Sequence, residues 1–525
     1  MASIASTNQK LEGGTGADTW RPSHNPWLIA IAVMCGTFME VLDTSIANVA
    51  LPHIAGSLSS TPEEATWAVT SYLVANAIVL PLTAWMGSRF GRKNFLITCT
   101  VLFTLASVLS GAATSLEMLV LARIFQGVGG GALQPTAQAV LLESFPPRQR
   151  GQAMAFYGMG IVVAPILGPI VGGYITDNYS WRWIFYINLP VGLFAVVMAW
   201  LFVEDPPFLK TQRTRKIDYL GFVSLALWVG ALQIMLDKGQ QEDWFGSTMV
   251  ITLAVIFAVS LMFFLNWETT VEEPIVELKV FLDRNFAVAA FMVTVVGAVL
   301  YGSVTVLPLF LQNLLGYPAF DSGLAVAPRG MGAFVSMLII GPLLARFDGR
   351  LFVGMGFFCL GVSNLWLSEI NTQISIWSIV LPNVVQGVSI GFIFVPLTTL
   401  ANAYLPVSQF GKASGIYNLM RNLGGGIGIA LCTTAISRKA QIFQNHLVTH
   451  VNPYTPAYRE FQERIQGLPE SQGLKLTYGL VREQATMLSY INVYILMAYV
   501  CFACVPLVFL LRKSEHDDTV SRINH

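Results

Sequence analysis

Several ionisable residues stand inside long apolar stretches of the sequence, where a charge is costly, and three of them suit proton-linked chemistry. Glu40 and Asp43 lie three positions apart in the first stretch, nearly on one helix face, and Arg123 lies in the fourth. A charge at the centre of a membrane helix costs about 2.5–3.5 kcal/mol, so each one needs a reason. Burial favours a protonated carboxyl group, whereas a neighbouring arginine favours the carboxylate. A carboxylate with a movable arginine contact therefore links proton binding to conformation.

Fourteen apolar stretches make up most of the chain. Hydrophobic residues account for 54% of the 525 positions and charged residues for 11%, whereas soluble domains have about 25% charged residues. About 20 helical residues cross the hydrocarbon of a bilayer. The sequence thus predicts an all-α integral membrane protein with about 14 transmembrane helices, at 27–50, 66–87, 94–114, 118–142, 151–174, 183–203, 217–236, 247–267, 285–311, 322–346, 351–367, 377–401, 411–436 and 487–511.

The charges between these stretches predict the orientation. Lysine and arginine concentrate in the short segments that share a side with the N-terminus, which is typical of the cytoplasmic side. An even number of helices puts both termini there, so 1–26 and 512–525 are predicted cytoplasmic tails. The formal net charge is zero, which argues against a nucleic-acid partner.

An internal repeat divides the chain. Residues 126–168 align with 386–428 without a gap at a shift of 260, and the shared positions include loop residues such as Pro146 and Pro406. The repeat separation spans eight helices, two more than a six-helix half needs. We therefore predict a six-helix half at 27–203, an inserted helix pair at 217–267 and a second half at 285–511. Two such halves around a midplane site suit alternating access.

Three motifs stand out in the first five stretches. The first helix ends in the segment 42–52, and the loop after the second helix carries Gly87, Ser88, Arg89, Gly91 and Arg92. The fifth helix carries Gly160, Pro165, Gly168, Pro169, Gly172 and Gly173. Together these motifs resemble the major facilitator superfamily, and within it the fourteen-helix drug–proton antiporters. The segment 42–52 is similar to the family's first-helix signature, the loop resembles the superfamily's cytoplasmic gate motif, although Ser88 stands where the family has Asp, and the fifth-helix positions resemble the motif that the family associates with antiport.

The resemblance implies export of hydrophobic or amphiphilic drugs driven by the proton gradient. It implies no enzymatic activity, no metal and no cofactor. We expect Asp43 to be the leading proton carrier and Arg123 its partner. Glu40 is either a second titratable site or a contact for cationic substrates. Arg329 and Arg421 resemble recurrent positions of this branch, and we expect them to link helices. Candidate cavity residues are Phe38, Met39, Tyr72, Phe156, Tyr157, Tyr301, Phe310, Phe394 and Tyr417.

The segment 437–486 is a long outer loop with helical periodicity, broken at 452–456. It resembles the loop of exporters that work in the bacterial inner membrane with a periplasmic adaptor protein and an outer-membrane channel. The same partners are therefore expected here, beside small substrates, protons and lipid. The loop could instead cap an outer cavity. A dedicated exporter of one natural compound, such as a fatty acid, siderophore or antibiotic, is the alternative function.

Overall fold

The computed structural model describes residues 22–206, 218–272, 274–344, 346–371, 374–452, 454, 456–464 and 470–513. Nearly all of the two predicted tails lies outside these residues. Within them the chain is helical and contains no β-strand.

Fourteen helices of the described chain are long and apolar enough to cross a membrane, as the sequence predicts. The first seven are α1 (Pro26–Ser57), α2 (Trp67–Phe90), α3 (Arg92–Gly111), α4 (Leu116–Ser144), α5 (Arg148–Asn178), α6 (Trp183–Phe202) and α7 (Tyr219–Lys238). The others are α8 (Thr248–Thr270), α9 (Arg284–Leu314), α10 (Asp321–Leu343), α11 (Gly349–Leu367), α12 (Trp377–Ala401), α13 (Phe410–Val448) and α14 (Ser471–Leu510).

Equivalent helices pair in the same way in the two halves of the bundle. α1 packs on α5, α2 on α4 and α3 on α6; correspondingly, α9 packs on α13, α10 on α12 and α11 on α14. The inserted helix α7 packs against α2 and α13, and α8 packs against α7. The inserted pair therefore lies beside the seam where α2 of one half meets α13 of the other.

The predicted outer loop is largely helical. α13 continues unbroken to Val448, a short helix spans Pro456–Arg464, and α14 begins at Ser471. The predicted helix ends at 436 and 487 reflect where hydrophobicity falls, but no proline or glycine stops α13 between Ile429 and Val448. We call this side of the bundle the hairpin face and the opposite side, with Pro26 and Leu510, the terminus face.

The two halves close against each other towards the terminus face. There α5 packs on α10, and α13 packs on α2 and α4. A Cβ placed on Gly341 of α10 would lie 3.2 Å from the Cα of Gln152 in α5, and one on Gly415 of α13 would lie 3.0 Å from the carbonyl oxygen of Leu80 in α2. Contacts this close leave no passage between those backbones, so any opening lies towards the hairpin face.

Candidate functional site

Asp43 and Arg123 form an ion pair inside the N-terminal half. Nη1 of Arg123 lies 2.5 Å from Oδ2 of Asp43, and their side chains are 0% and 1% exposed. The other carboxylate oxygen accepts hydrogen bonds from Nε2 of Gln126 at 2.8 Å and Nδ2 of Asn188 at 2.7 Å. The guanidinium also stacks over the Tyr72 ring at 4.3 Å. Three donors from two helices thus enclose the Asp43 side chain.

Glu40 lies one helical turn away in a different environment. Its Oε1 accepts hydrogen bonds from the Tyr72 hydroxyl at 3.2 Å and from Nδ2 of Asn76 at 3.1 Å, and its Oε2 accepts one from Nε2 of Gln134 at 2.7 Å. No cation forms an ion pair with it among the described side chains. A Cβ on Gly130 would lie 2.7 Å from the Tyr72 hydroxyl and 3.2 Å from Cγ of Glu40, so glycine is required for this approach.

A chain of hydrogen bonds connects Glu40 to the C-terminal half. The Gln134 carboxamide donates to Glu40 and accepts a hydrogen bond from Nη2 of Arg421 in α13. One helical turn away, Nδ2 of Asn418 in the same helix donates to Oε1 of Gln138 at 2.7 Å. Gln134 and Gln138 belong to α4, so these bonds join the N-terminal half to the C-terminal half. A relative movement of the halves must break them.

A cavity of about 240 Å³ lies between the two halves, directly beside Glu40 and Arg421. It follows α1 from Glu40 to the exposed Asn48, towards the hairpin face. Asp43 is not part of its wall. The wall consists of Glu40, Val41, Thr44, Ser45, Asn48, Tyr72, Leu73, Asn76, Leu80, Gly130, Gly131, Gln134, Pro165, Gln233, Tyr301, Val304, Thr305, Asn418, Arg421, Asn422, Gly425, Gly426 and Ile429.

Two of the candidate cavity residues, Tyr72 and Tyr301, line this cavity. The other candidates do not line it, because their side chains fill contacts between helices. Phe38 packs against the apolar cluster that includes Trp181 and Phe185, and Met39 forms a cluster with Tyr72 and Phe103. The remaining candidates each have one such contact: Phe156 with Trp27, Tyr157 with the carbonyl of Gln134, Phe310 with Tyr490, Phe394 with Arg421, and Tyr417 with Thr398.

The C-terminal half holds a neutral counterpart of the Asp43–Arg123 pair. The 260-residue shift relates Asp43 to Ser303 and Arg123 to Asn383. Arg329 of α10 occupies this cluster: its Nη2 donates to Oδ1 of Asn383 at 2.9 Å and to Oγ of Ser303 at 3.0 Å. These bonds link α10 to α9 and α12, while the Arg421 bond links α13 to α4. Both arginines therefore join neighbouring helices in this structure.

The comparisons with known proteins agree on the kind of molecule. The family profile described as Major Facilitator Superfamily matches residues 33–429. The chain belongs to the major facilitator superfamily. It is 38% identical to the multidrug export protein EmrB of Haemophilus influenzae over 85% of this chain and 88% of that one. It is 38% identical to EmrB of Escherichia coli K12 over 87% and 89%, and 35% identical to the fatty acid resistance protein FarB of Neisseria gonorrhoeae over 93% and 96%.

Solved transporters of the superfamily share the fold. The human organic anion transporter MFSD10 superposes with a TM-score of 0.57 at 11% identity, covering 91% of this chain and all of the other. The proton:xylose symporter XylE superposes with a TM-score of 0.56 at 16% identity, covering 92% and 96%. Together with the fourteen helices, these likenesses identify the protein as a multi-pass membrane transporter.

The residues that resemble the superfamily's gate motif lie on the terminus face, where Arg92 pairs with a glutamate outside the motif. Nη1 of Arg92 lies 2.6 Å from Oε2 of Glu143 at the end of α4, with side chains 7% and 1% exposed. Ser88 instead donates to the carbonyl of Trp85 at 2.8 Å. Arg92 also lies against α13, where a Cβ on Gly411 would be 3.0 Å from its Nη2. Glu143 thus supplies the negative charge that Ser88 lacks.

The rest of the gate motif fixes the turn between α2 and α3. Gly91 has φ +84°, a left-handed conformation that suits glycine, and a Cβ there would lie 2.3 Å from Oδ2 of Asp205. Oδ1 of Asp205 accepts a hydrogen bond from the backbone of Lys93 at 2.9 Å. Gly87 lies beside Arg92, since a Cβ on this glycine would be 3.6 Å from Cγ of the arginine. Arg89 lies in the last turn of α2.

The α5 positions that resemble the antiporter motif lie along α1, next to the acidic residues. A Cβ would lie 2.9 Å from Met34 Cγ at Gly160, 2.4 Å from Ser45 Cβ at Gly168 and 3.2 Å from Ile46 Cγ2 at Gly172. The Ser45 hydroxyl donates to the carbonyl of Pro165 at 3.1 Å, and Pro165 lines the cavity. Gly173 has open space around it, and the side chain of Pro169 is outside the described atoms. The motif therefore brings the α5 backbone against α1.

Several residues of this site were not predicted from the sequence. Gln134 and Asn188 are polar residues inside or beside apolar stretches, and a search for amides as well as charges would have found them. Glu143 lies one position past the predicted end of the fourth helix, so the sequence pattern assigned it to a loop. Gln233 of the inserted pair gave no signal, because nothing in the sequence places α7 beside the cavity.

Proposed function

We propose that the protein exports hydrophobic or amphiphilic small molecules across a bacterial inner membrane in exchange for protons. The observation that carries this proposal is the cavity between the halves, open towards one face, with Glu40 in its wall. A carboxylate with neutral donors and no ion-pair partner can bind either a proton or a cationic substrate. Competition of the two for one group produces antiport, because each must leave before the other enters.

Glu40 suits this exchange better than Asp43. Asp43 is enclosed by Arg123, Gln126 and Asn188 and has no place in the cavity wall. The Asp43–Arg123 pair then serves to hold α1 against α4, and a proton reaches it only if that pair opens. The alternative, with Asp43 as the carrier, predicts that this pair separates during each cycle.

The bond from Arg421 to Gln134 couples Glu40 to the movement of the halves. In this conformation Gln134 is held by Arg421 and donates to Glu40. When α13 moves away from α4, that support is lost and Glu40 retains a less ordered donor. The proton affinity of Glu40 therefore differs between the two conformations, which is the requirement for coupling.

The orientation and partners belong to the same proposal. We place both termini in the cytoplasm, as the distribution of lysine and arginine indicates, so the hairpin face is periplasmic. Large apolar side chains are exposed on this face: Tyr454 is 84% exposed and Leu474 is 68% exposed. Such groups fit contact with a periplasmic adaptor protein, which would connect the transporter to an outer-membrane channel.

The test uses purified protein in sealed proteoliposomes with an internal pH dye and an inward proton gradient imposed from the hairpin face. Lipophilic cations, uncouplers and fatty acids are added in turn. Substrate-dependent proton movement opposite to the substrate, absent in Glu40→Gln, supports the proposal. Wild-type exchange in that variant contradicts the role of Glu40. The assay is repeated with the adaptor protein, and no exchange under either condition contradicts proton-driven export.

A second candidate function, dedicated export of an acidic natural compound, is favoured by Arg421 in the cavity wall. Among the described residues no carboxylate lies within ion-pair distance of it. A fatty acid carboxylate could pair with this guanidinium, and one relative is named for fatty acid resistance. Exchange with fatty acids alone in the same assay would favour this function over broad drug export.

A further inference from the structure

The inserted helix α7 lies outside both six-helix halves, yet it contributes a side chain to the central cavity. Gln233 lies in the cavity wall near the hairpin end of α7. It is the one wall residue contributed by the inserted pair within the described chain. The extra helices therefore extend the binding surface of the two halves.

Glycines of α13 open the gap through which Gln233 reaches the cavity. A Cβ on Gly426 would lie 3.3 Å from Oε1 of Gln233 and 3.5 Å from Cδ1 of Leu236. A Cβ on Gly425 would lie 2.7 Å from Cδ2 of Tyr301. Larger residues at these two positions would fill the space between the carboxamide and the Tyr301 ring. The adjacent glycines thus bring an amide from α7 and an aromatic ring from α9 to the same cavity.

The Oε1 atom of Gln233 is buried and accepts no hydrogen bond within the described structure. A buried acceptor without a donor is destabilising, so such groups usually have a hydrogen-bond partner or an ordered water. The Gln233 side chain belongs to the cavity wall, so a half-turn of its carboxamide brings this acceptor to the cavity, where a bound molecule can supply the missing N–H or O–H. The chemistry calls for a hydrogen-bond donor on that molecule.

Contacts to both halves fix the position of α7 near this point. The Thr70 hydroxyl donates to Oδ2 of Asp237, and Nζ of Lys238 donates to Oγ1 of Thr66 at 2.5 Å. Beyond the helix, Nε1 of Trp244 donates to Oγ1 of Thr434 in α13 at 2.9 Å. The hairpin end of α7 is therefore attached to α2 and α13, which fixes the backbone position of Gln233 before a substrate arrives. Such preorganisation lowers the entropic cost of binding.

We propose that Gln233 is a substrate-recognition residue that accepts a hydrogen bond from the head group of primary and secondary amine amphiphiles. Glu40 takes the positive charge of the ammonium group, and Gln233 takes one of its N–H donors. Quaternary ammonium compounds carry the same charge without an N–H, so they use Glu40 alone. This assignment rests on the proposed function, because it concerns the same cavity.

The test compares two probes with the same tail and the same charge: 4-phenylbutylamine, whose head group has N–H donors, and its N,N,N-trimethyl derivative, whose head group has methyl groups in their place. Binding is measured by calorimetry with the full chain in lipid nanodiscs, without a proton gradient. We expect Gln233→Leu to weaken binding of the amine about fivefold, the usual effect of one lost hydrogen bond, and to leave the trimethyl probe within about twofold. Gln233→Met serves as a second variant should the first lower the folded yield.

Gln240→Leu is the matched control. Gln240 is an amide of the same inserted pair that contacts Trp244 and does not line the cavity, so both probes should bind to this variant as to the wild type. Equal losses for the two probes in the Gln233 variants, or no loss for the amine, overturn the proposal. So does a wild type that binds neither probe. Because binding needs no gradient, a protein that binds both probes without proton exchange refutes the proposed antiport and still tests Gln233.

Discussion

Neutralising Glu40 and Asp43 separately should give opposite results. Asp43→Asn retains the size of the side chain but leaves the Arg123 guanidinium, which is 0% exposed, without its counter-charge. Removing one partner of a buried ion pair costs about 3–5 kcal/mol. The N–H group of the new asparagine would also face one of the N–H donors that now hydrogen-bond to the Asp43 carboxylate. We therefore expect a lower folded yield and a marked loss of thermal stability.

Glu40→Gln should cost far less. The groups around Glu40 are neutral donors, and a glutamine oxygen can still accept the hydrogen bonds of Tyr72 and Asn76. We expect a loss of about 1 kcal/mol from the remaining contact with Gln134. Proton exchange should be lost, because the variant has no carboxyl group at the cavity wall.

The measurements are thermal unfolding in nanodiscs, followed by tryptophan fluorescence, and substrate-driven proton movement in proteoliposomes. A double variant, Asp43→Leu with Arg123→Leu, is the control: replacing both charges by apolar groups is often close to neutral, so it should recover most of the stability lost in Asp43→Asn. A stable Asp43→Asn protein without proton exchange, beside a Glu40→Gln protein that exchanges normally, would refute the reasoning and restore Asp43 as the carrier.

Three further variants test other parts of the site. Glu143→Gln leaves the buried Arg92 unpaired, so the unfolding temperature should fall by an amount equivalent to about 3 kcal/mol or more; normal stability would show that the pair is dispensable. Gly168→Val should destabilise the protein by about 1–3 kcal/mol, because even a Cβ there lies 2.4 Å from a side-chain carbon of α1, whereas Gly173→Ala, in open space, should not lower the unfolding temperature. Tyr301→Leu should weaken binding of lipophilic cations in calorimetry on the order of fivefold without destabilising the fold, since the ring is 39% exposed; unchanged binding would remove it from the site.

The fold was predictable because membrane helices leave a strong signal in composition. All fourteen were found, and the errors lie at their ends, where α13 and α14 continue past the apolar stretch as ordinary water-exposed helix. The charged residues in and beside the cavity, Glu40, Asp43, Arg123 and Arg421, were also found, since a charge in an apolar run is conspicuous. Their environments could not be predicted, because the difference between Glu40 and Asp43 depends on which side chains from α2, α4 and α6 meet them.

The gate shows the same limit in a different way. The sequence shows that Ser88 cannot form the ion pair expected of the family motif, but it does not show what replaces it. Glu143 is 51 positions from Arg92 and meets it only because α4 ends beside the start of α3. Neutral amides such as Gln134 and Gln233 are harder still to recognise, since they carry no charge and resemble the polar residues that commonly hydrogen-bond between membrane helices.

The length of α13 gives the hairpin face a mechanical connection to the substrate site. This helix of 39 residues runs unbroken from Phe410 through Arg421 to Val448, and at 1.5 Å per residue it is roughly 58 Å long. A tilt of about 10° around its middle would swing its outer tip by roughly 5 Å at that length. The helix thus acts as a lever arm, so a change at Arg421 would displace a protein bound to the hairpin face. Such a protein could respond to the transport cycle without contacting the substrate.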